Sequence, residues 1–294
     1  MAKSSIKEDI GSRIFNIINV ILMGGIIAVT LYPMLYILFA SFSKGSLLLG
    51  HTGILWSPLG FSLEGYRAAF KDPMIVRGYM NTLFVVIVGG FLSVAVTAFG
   101  AYALSRKDFM MQKPIMLFII FTMFFSGGMI PFYFTVRELG MYNSLWALIL
   151  PSLVSAFNLI IMRSGFAAVP ESLLEAAKID GAKHFRIFWS IVLPLVKPVI
   201  AVISLYYMVG NWNSWFNAML FLQDREKFPL QLILRGILIA NNTGQMTGNA
   251  TDLEAIGESI KYAVIIVATV PILCAYPFLQ KYFVKGVMIG AVKG

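Results

Sequence analysis

The chain has 294 residues, of which 59% are hydrophobic and only 13% are charged, and its mean hydropathy is +0.80. A water-soluble domain of this length carries about a quarter charged residues, so the composition excludes an ordinary soluble protein and predicts a membrane protein. The formal net charge of +9 indicates unequal exposure of basic residues on the two sides of a bilayer rather than binding to nucleic acid.

The N-terminal segment, residues 1–13, carries three basic side chains and is followed by an uncharged run from Ile14 to Ser43. A cleavable signal peptide has an apolar core of about 7–15 residues. The longer run therefore predicts an uncleaved first membrane span, with residues 1–13 as a short segment on the cytoplasmic side.

Six segments are apolar enough to cross a bilayer, for which a helix needs about 20 residues. They lie at about residues 14–40, 80–104, 115–136, 144–162, 199–222 and 262–280. Backbone groups in lipid must be bonded within their own helix. Residues 14–294 are therefore predicted to form one all-α membrane domain of six transmembrane helices. Gly127, Gly128 and Pro131 predict a kink in the third helix.

The basic residues predict the orientation of these spans. With both termini inside, 14 of the 23 Lys and Arg residues lie on the cytoplasmic side. The positive-inside rule favours this arrangement. It leaves residues 223–261 as an outer loop, in which the tract ANNTGQMTGNATDLE at 240–254 has the composition of a mobile linker.

The same orientation places the loop 163–198 in the cytoplasm. Within it, VPESLLEAAKIDG predicts a short helix, because Pro170 and Glu171 suit a first turn and Gly181 suits the end. Glu175 is placed one turn after Glu171 and is expected to meet Lys178.

Small and acidic side chains define the surface of this short helix. Ala176 and Ala177 leave a smooth strip that another surface can approach closely. A helix lying on lipid usually presents Lys and Arg on its polar face, whereas this one presents two glutamates and Asp180. Docking to a basic soluble partner is therefore favoured over a position on the membrane surface. A second helical stretch follows, with one apolar face formed by Ala182, Phe185, Phe188, Trp189 and Val192.

The pattern Glu175-Ala176-Ala177, Asp180-Gly181-Ala182 and Leu193-Pro194-Leu195 resembles the EAA loop of permeases of ATP-binding cassette (ABC) importers. With MYNSLWALILP, WNSWFNA and the ending YFVKGVMIGAVKG, it makes almost the whole chain similar to the second permease subunit of carbohydrate importers. The maltose type is the broader match, and the lipoprotein-associated and uronide-oligosaccharide branch is the narrower one. The resemblance implies a type I ABC-importer permease, with six spans and a cytoplasmic coupling helix, in the bacterial cytoplasmic membrane.

The resemblance also implies partners and a mechanism. The EAA helix would dock into a cleft of a separate ATPase, and Glu175 would meet a basic residue there. The implied assembly contains a second, homologous permease subunit, a dimer of ATPases and an extracellular solute-binding protein that meets the 240–254 region, and it moves oligosaccharides by alternating access. The implied docking residues are Glu171, Glu175, Ala176, Ala177, Asp180, Gly181, Phe185 and Pro194. Lys285, Gly286 and Lys293 in the tail would also reach the ATPases, or else form an ordinary positively charged end.

The fifth predicted span carries an unusual set of amides and aromatic rings. Buried amides are costly in lipid unless they are partnered or face water. Amides that bond hydroxyls beside aromatic faces suit a weak saccharide site on the transport pathway. Contacts between subunits, or an aromatic belt at the membrane interface, are the alternatives. The residues are Asn211, Trp212, Asn213, Trp215 and Asn217.

Several motifs are absent from the sequence. There is no GxxxxGK[ST], so no cofactor is expected on this chain, and ATP with Mg²⁺ is expected on the partner ATPase. No metal or catalytic motif occurs, which argues against an enzyme. The six predicted spans contain no carboxylate, which argues against an ion-coupled secondary transporter. A permease for peptides or amino acids remains the main alternative.

Overall fold

The computed structural model describes residues 9–246, 257–274 and 277. These residues are mostly helical, and the only strand-like pairing among them is an isolated bridge between Ser43 and Phe61. The helices before residue 140 are α1 (Ile10–Ser41), α2 (Gly45–Leu49), α3 (Glu64–Lys71), α4 (Pro73–Ser105), α5 (Gln112–Phe124) and α6 (Met129–Glu138). Those after it are α7 (Trp146–Ile149), α8 (Ala156–Ala167), α9 (Glu171–Ile179), α10 (His184–Leu195), α11 (Lys197–Trp212), α12 (Trp215–Phe221), α13 (Leu230–Met246) and α14 (Gly257–Cys274).

The described residues confirm an all-α chain with several membrane-length helices, although the number of spans stays a prediction. Within the described ranges, three helices, α1, α4 and α14, are long and apolar enough to cross a bilayer. The pairs α5–α6 and α10–α11 are bent by 116° and 84°, and each would add one span if it crosses as a broken helix. The predicted fourth span at 144–162 is divided between α7 and the start of α8, each too short alone.

The described chain forms two compact units, one of which contains residues 9–71, 238–246 and 257–267. In this unit α1 exposes nearly all of its apolar side chains until Ala40, as expected of a helix that faces lipid or another subunit. The start of α14 is polar and buried instead. Glu258 bonds Lys261 at 3.1 Å, and the Ser259 hydroxyl donates to the Ser43 carbonyl at 3.3 Å.

The position of Glu258 corrects one prediction. The last described apolar helix includes residues 257–261, ahead of the predicted start at 262, so a buried carboxylate does lie within it. The burial of this carboxylate is tolerated because the Lys261 ammonium compensates the Glu258 charge.

In the other unit, residues 72–237, 268–274 and 277, α4 packs against α8 and α11 around a shared apolar core. Gly165 on α8 allows this approach, because a Cβ atom there would lie 2.9 Å from a methyl group of Val199 on α11. A π turn at Val85–Gly89 interrupts α4.

Three predicted boundaries can be compared with the structure, and two of them differ from it. The kink in the predicted third span is confirmed as a break between α5 and α6, where Gly128 has φ +85°. The predicted fifth span is broken after Trp212. The predicted outer loop 223–261 contains α13 and the start of α14, so the linker predicted from residue 240 is helical as far as Met246, and residues 247–256 lie outside the described chain.

Candidate functional site

The short helix predicted between Pro170 and Gly181 is present as α9, Glu171–Ile179. It ends in a Schellman motif, in which Ala182 N–H donates to the Ala177 carbonyl at 2.9 Å and Gly181 N–H to the Lys178 carbonyl at 3.0 Å. Gly181 adopts φ +79°, a conformation that favours glycine. The local sequence signals therefore place both ends of α9 correctly.

One face of α9 is fixed to the membrane domain. Leu174 and Ala177 are buried in the core cluster that also contains Phe166, Ile187 and Phe188. The predicted strip of two alanines is therefore wrong in part, because Ala177 packs inward and only Ala176 stays on the surface. Spacing along the helix explains the division, since adjacent helical residues point about 100° apart.

The ion pairs of α9 also differ from the predicted one. Glu175 is exposed and makes no ion pair among the described residues. Lys178 instead bonds Asp108 at 3.3 Å, and Glu171 bonds Lys107. Both partners come from the loop after α4, so α9 is tied to that loop rather than within itself.

Electrostatics in this loop follow from the same contacts. The hydrogen bond to Glu171 raises the pKa of Lys107 above its ordinary value. Partial burial alone would raise the pKa of Asp108, but the hydrogen bond and positive charge of Lys178 outweigh it and lower that pKa. Both shifts favour the charged forms of Lys107 and Asp108.

The aromatic face predicted for α10 is divided in the structure. Phe188 and Val192 are buried in the core, whereas Phe185 and Trp189 are exposed and lie against Phe99 of α4. A π turn at Phe188–Val192 is the local departure from regular helix. Pro194 and Asp180, two further predicted docking residues, are exposed.

The predicted pathway residues do not share one surface. Trp212 is buried beside Tyr79, and its indole N–H has no acceptor among the described residues. Asn211 donates to the Val85 carbonyl at 3.4 Å, next to the π turn of α4. Asn213 is exposed and donates to Val209 in its own helix.

A break after α11 explains this dispersion. Asn213 and Asn217 would lie one turn apart if the predicted fifth span were a continuous helix, but α11 ends at Trp212 and α12 begins at Trp215, so the prediction of one continuous helix is wrong. Ser214 covers the break by donating its hydroxyl to the Asn211 carbonyl at 2.7 Å. The partly buried Asn217 lies on the second helix.

Residues outside the predicted set complete both candidate regions. The Arg235 guanidinium of α13 lies 4.2 Å from the centre of the Trp215 ring, a cation–π contact. In the sequence, Arg235 is a single cation in an apolar, helix-prone stretch, but that stretch was predicted to be part of the outer loop. Lys107 and Asp108 were counted only for orientation, because their partners are distant in sequence.

Comparison with known proteins gives consistent matches. Residues 97–289 match the family described as binding-protein-dependent transport system inner membrane component. The chain is 41% identical over 286 residues to Protein LplC of Bacillus subtilis, covering 96% of each chain. It is 42% identical over 287 residues to the polygalacturonan/rhamnogalacturonan transport system permease protein YtcP of the same organism, covering 96% of this chain and 99% of YtcP.

A solved structure is also similar. It is the crystal structure of a bacterial ABC transporter involved in the import of the acidic polysaccharide alginate. One chain of it aligns with a TM-score of 0.85 and 32% identity, over 94% of this chain and 99% of that one.

Proposed function

Because the chain belongs to the family of inner membrane components of binding-protein-dependent transport systems, we propose that it is a permease subunit of an ATP-driven importer of oligosaccharides. It has the type I ABC-importer permease fold. In the proposed assembly it pairs with a second, homologous permease subunit in the bacterial cytoplasmic membrane, with both termini in the cytoplasm. An ATPase dimer binds from the cytoplasm, and a solute-binding protein delivers the saccharide from outside.

The observation that carries the docking proposal is the two-sided character of α9. Leu174 and Ala177 fix its inner face to the core of the membrane domain, while Glu175 and Ala176 stay exposed. An exposed carboxylate with no ion pair among the described residues, beside a residue that small, suits a basic groove on another protein.

The proposed mechanism is mechanical. The ATPase subunits bind ATP and Mg²⁺ and close, and α9 moves with the ATPase surface that holds it. Since the inner face of α9 shares one core with α4, α8 and α11, the movement passes to those helices. The importer then alternates between inward-open and outward-open states, each favoured by different contacts.

The solute proposal is supported by the names of relatives. YtcP is named for polygalacturonan and rhamnogalacturonan, and the aligned structure concerns alginate. Polygalacturonan and alginate are acidic polysaccharides, so uronate oligosaccharides are the first solutes to test. The exposed Asn213 and the partly exposed ring of Trp215 are the groups that a passing sugar could contact.

Two alternatives remain distinguishable. A permease for peptides or amino acids would use the same α9, so only the transported solute separates it from the proposal. An ion-coupled transporter would need an accessible carboxylate, whereas Glu258 of α14 is buried and paired with Lys261.

Cysteine crosslinking tests the docking proposal. In a Cys274→Ser background, Ala176→Cys should crosslink to the ATPase in the assembled complex, because residue 176 is exposed. Ala177→Cys is the matched control, since the neighbouring side chain is buried and should not react. Equal yields at the two positions, or a reaction of Ala176→Cys with membrane-impermeant reagents from the outside of intact cells, would contradict the proposal.

The solute is tested separately with the complex in proteoliposomes. Uronate oligosaccharides with the binding protein should stimulate ATP hydrolysis, and neutral oligosaccharides and peptides serve as comparison solutes. Stimulation by peptides alone would favour the alternative permease.

A further inference from the structure

We propose that Lys107 and Asp108 are positioning residues that hold α9 in one register on the cytoplasmic end of α4, so that α4 follows any displacement of α9. The inference rests on the proposed function, in which α9 receives the force of the ATPase. We call these two residues, with Glu171 and Lys178, the ionic clamp.

The clamp contacts both ends of α9. Glu171 is in its first turn and Lys178 in its last, seven residues later, which corresponds to about 10 Å along a helix. Their partners Lys107 and Asp108 are adjacent in the loop after α4. A single ion pair would leave α9 free to pivot about it, whereas two widely spaced pairs fix both its position and its direction.

The order of the charges selects one register. In the observed arrangement Lys107 meets Glu171, and Asp108 meets Lys178. If α9 were reversed or shifted by two turns along the loop, Lys107 would approach Lys178, or Asp108 would approach Glu171. Each of these alternatives places like charges together, so the clamp disfavours misdocked positions as well as favouring the observed one.

The loop that carries the clamp is itself anchored to two helix ends. Arg106 donates to the Ser105 hydroxyl and, at 3.3 Å, to the Phe166 carbonyl near the end of α8. The Leu104 carbonyl at the end of α4 accepts from Arg163 at 2.8 Å and from Gln112 at 2.9 Å. Carbonyls in a last helical turn lack partners within the helix, so these side chains act as caps that join α4, α8 and α5. The loop that carries Lys107 and Asp108 is therefore held in place by these helix ends.

A groove lies between the loop and α9, and all four clamp side chains line it. Its volume is about 380 Å³, and polar side chains line much of it. Apolar packing between α9 and the core lies at Leu174 and Ala177, and Leu174 is one turn from Lys178, beside the clamp. Loss of the clamp should therefore leave α9 attached and helical while loosening its orientation.

The exposure of the clamp predicts which measurement will respond. Its four side chains are between 51% and 81% exposed, and ion pairs of this kind add little to folding stability. Reversal of one charge is expected to change the transport yield per ATP about two- to fivefold without loss of the assembled complex.

Charge reversal and exchange test the clamp in the assembled importer in proteoliposomes. Lys107→Glu and Asp108→Lys should each lower the amount of saccharide moved per ATP hydrolysed. The exchanges Lys107→Glu with Glu171→Lys, and Asp108→Lys with Lys178→Asp, should restore at least half of the loss. Lys113→Glu is the matched control, because Lys113 follows in the same region and has no ion pair among the described residues.

The outcomes separate the clamp from the docking proposal. Unchanged coupling in Lys107→Glu and Asp108→Lys, or no recovery in either exchange, would overturn the clamp. If Glu175→Lys still uncouples in that case, the docking role of α9 stands without the clamp. If neither Glu175→Lys nor the clamp variants affect coupling, and Ala176→Cys does not crosslink, the proposed function itself is wrong.

Discussion

At the scale of single residues, Glu175 provides the most direct test of the docking proposal. Reversing its charge should leave folding intact, because it makes no ion pair among the described residues. We expect Glu175→Lys to give an assembled complex that hydrolyses ATP without transport, since a lysine would face the proposed basic groove of the ATPase. Transport and ATP hydrolysis by the purified complex measure this.

Glu138→Lys is the control for that charge reversal, because Glu138 is also exposed but lies at the end of α6, on the predicted outer side. Normal transport by Glu175→Lys, or equal losses in the two variants, would remove the special role of Glu175.

Gly181 gives a prediction about stability. Its φ of +79° is unfavourable for a residue with a Cβ atom, although no other atom lies within 4 Å of the position that a Cβ would take. Gly181→Ala should therefore lower the free energy of unfolding by about 1 kcal/mol through backbone strain alone. Thermal unfolding of the purified complex measures it.

The matched variant Gly236→Ala also meets no atom within 4 Å, but its backbone is helical. It should be neutral or stabilising, because alanine has the higher helix propensity. A similar destabilisation at both positions would exclude backbone conformation as the cause.

The sequence predicted the helix ends at these residues correctly, but not their burial or their ion-pair partners. The ends of α9 depend on Pro170 and Gly181, which act locally, and both were predicted correctly. The burial of Ala177 depends on Phe166 and Phe188, and the partner of Lys178 is 70 residues away. Spacing along one helix carries no information about neighbours of that kind, which is why Glu175 was wrongly paired with Lys178.

At the scale of elements, the break between α11 and α12 separates structural from exposed amides. Asn211 donates to the Val85 carbonyl across to α4, whereas Asn213 bonds only its own helix. We expect Asn213→Leu to lower transport more than assembly, because its exposed amide is available to a saccharide hydroxyl. Asn211→Leu should instead lower the free energy of unfolding by about 1 kcal/mol, and with it the yield of assembled complex, because it leaves a carbonyl at the π turn without its donor.

Yield of the complex and transport per complex distinguish the two effects. Full transport by Asn213→Leu would return α11 to a packing role, and unchanged stability of Asn211→Leu would show that its 3.4 Å contact has little weight.

Helix breaks were predictable only where a residue type enforces them. Gly127 and Gly128 predicted the bend between α5 and α6, and the structure has it. The break at 213–214 contains no glycine or proline. It is stabilised by a hydrogen bond from the Ser214 hydroxyl, which a search for apolar segments does not detect. The amphipathic helix α13 was taken as part of a loop because it lies between polar residues.

At the scale of the whole molecule, the positive-inside count predicts which loops face the cytoplasm. In a Cys274→Ser background, Lys183→Cys in the loop after α9 should be protected from a membrane-impermeant maleimide in intact cells. Glu138→Cys should be labelled, since α6 ends on the predicted outer side and both positions are exposed. The reverse pattern of labelling would invert the topology and place α9 beyond the reach of any cytoplasmic ATPase.

Composition was sufficient to predict a helical membrane protein, and the matched family agrees with that prediction. The number of spans was harder, because apolar content does not distinguish a straight helix from the bent pairs α5–α6 and α10–α11. The candidate site was predicted from a short motif whose role depends on partner proteins. In the structure of a single chain, the surface that such a partner would cover is seen only as a set of exposed residues.

The π turn at Val85–Gly89 has a consequence for how α4 tolerates change. Such a turn accommodates one more residue than an α-helical turn, and each helical residue rotates the chain by about 100°. Deleting one residue there would let the turn become α-helical while the half that ends at Ser105 keeps its orientation relative to the half that begins at Pro73. A one-residue deletion at this point should therefore be tolerated better than one elsewhere in α4, where it would rotate the following half by about 100°.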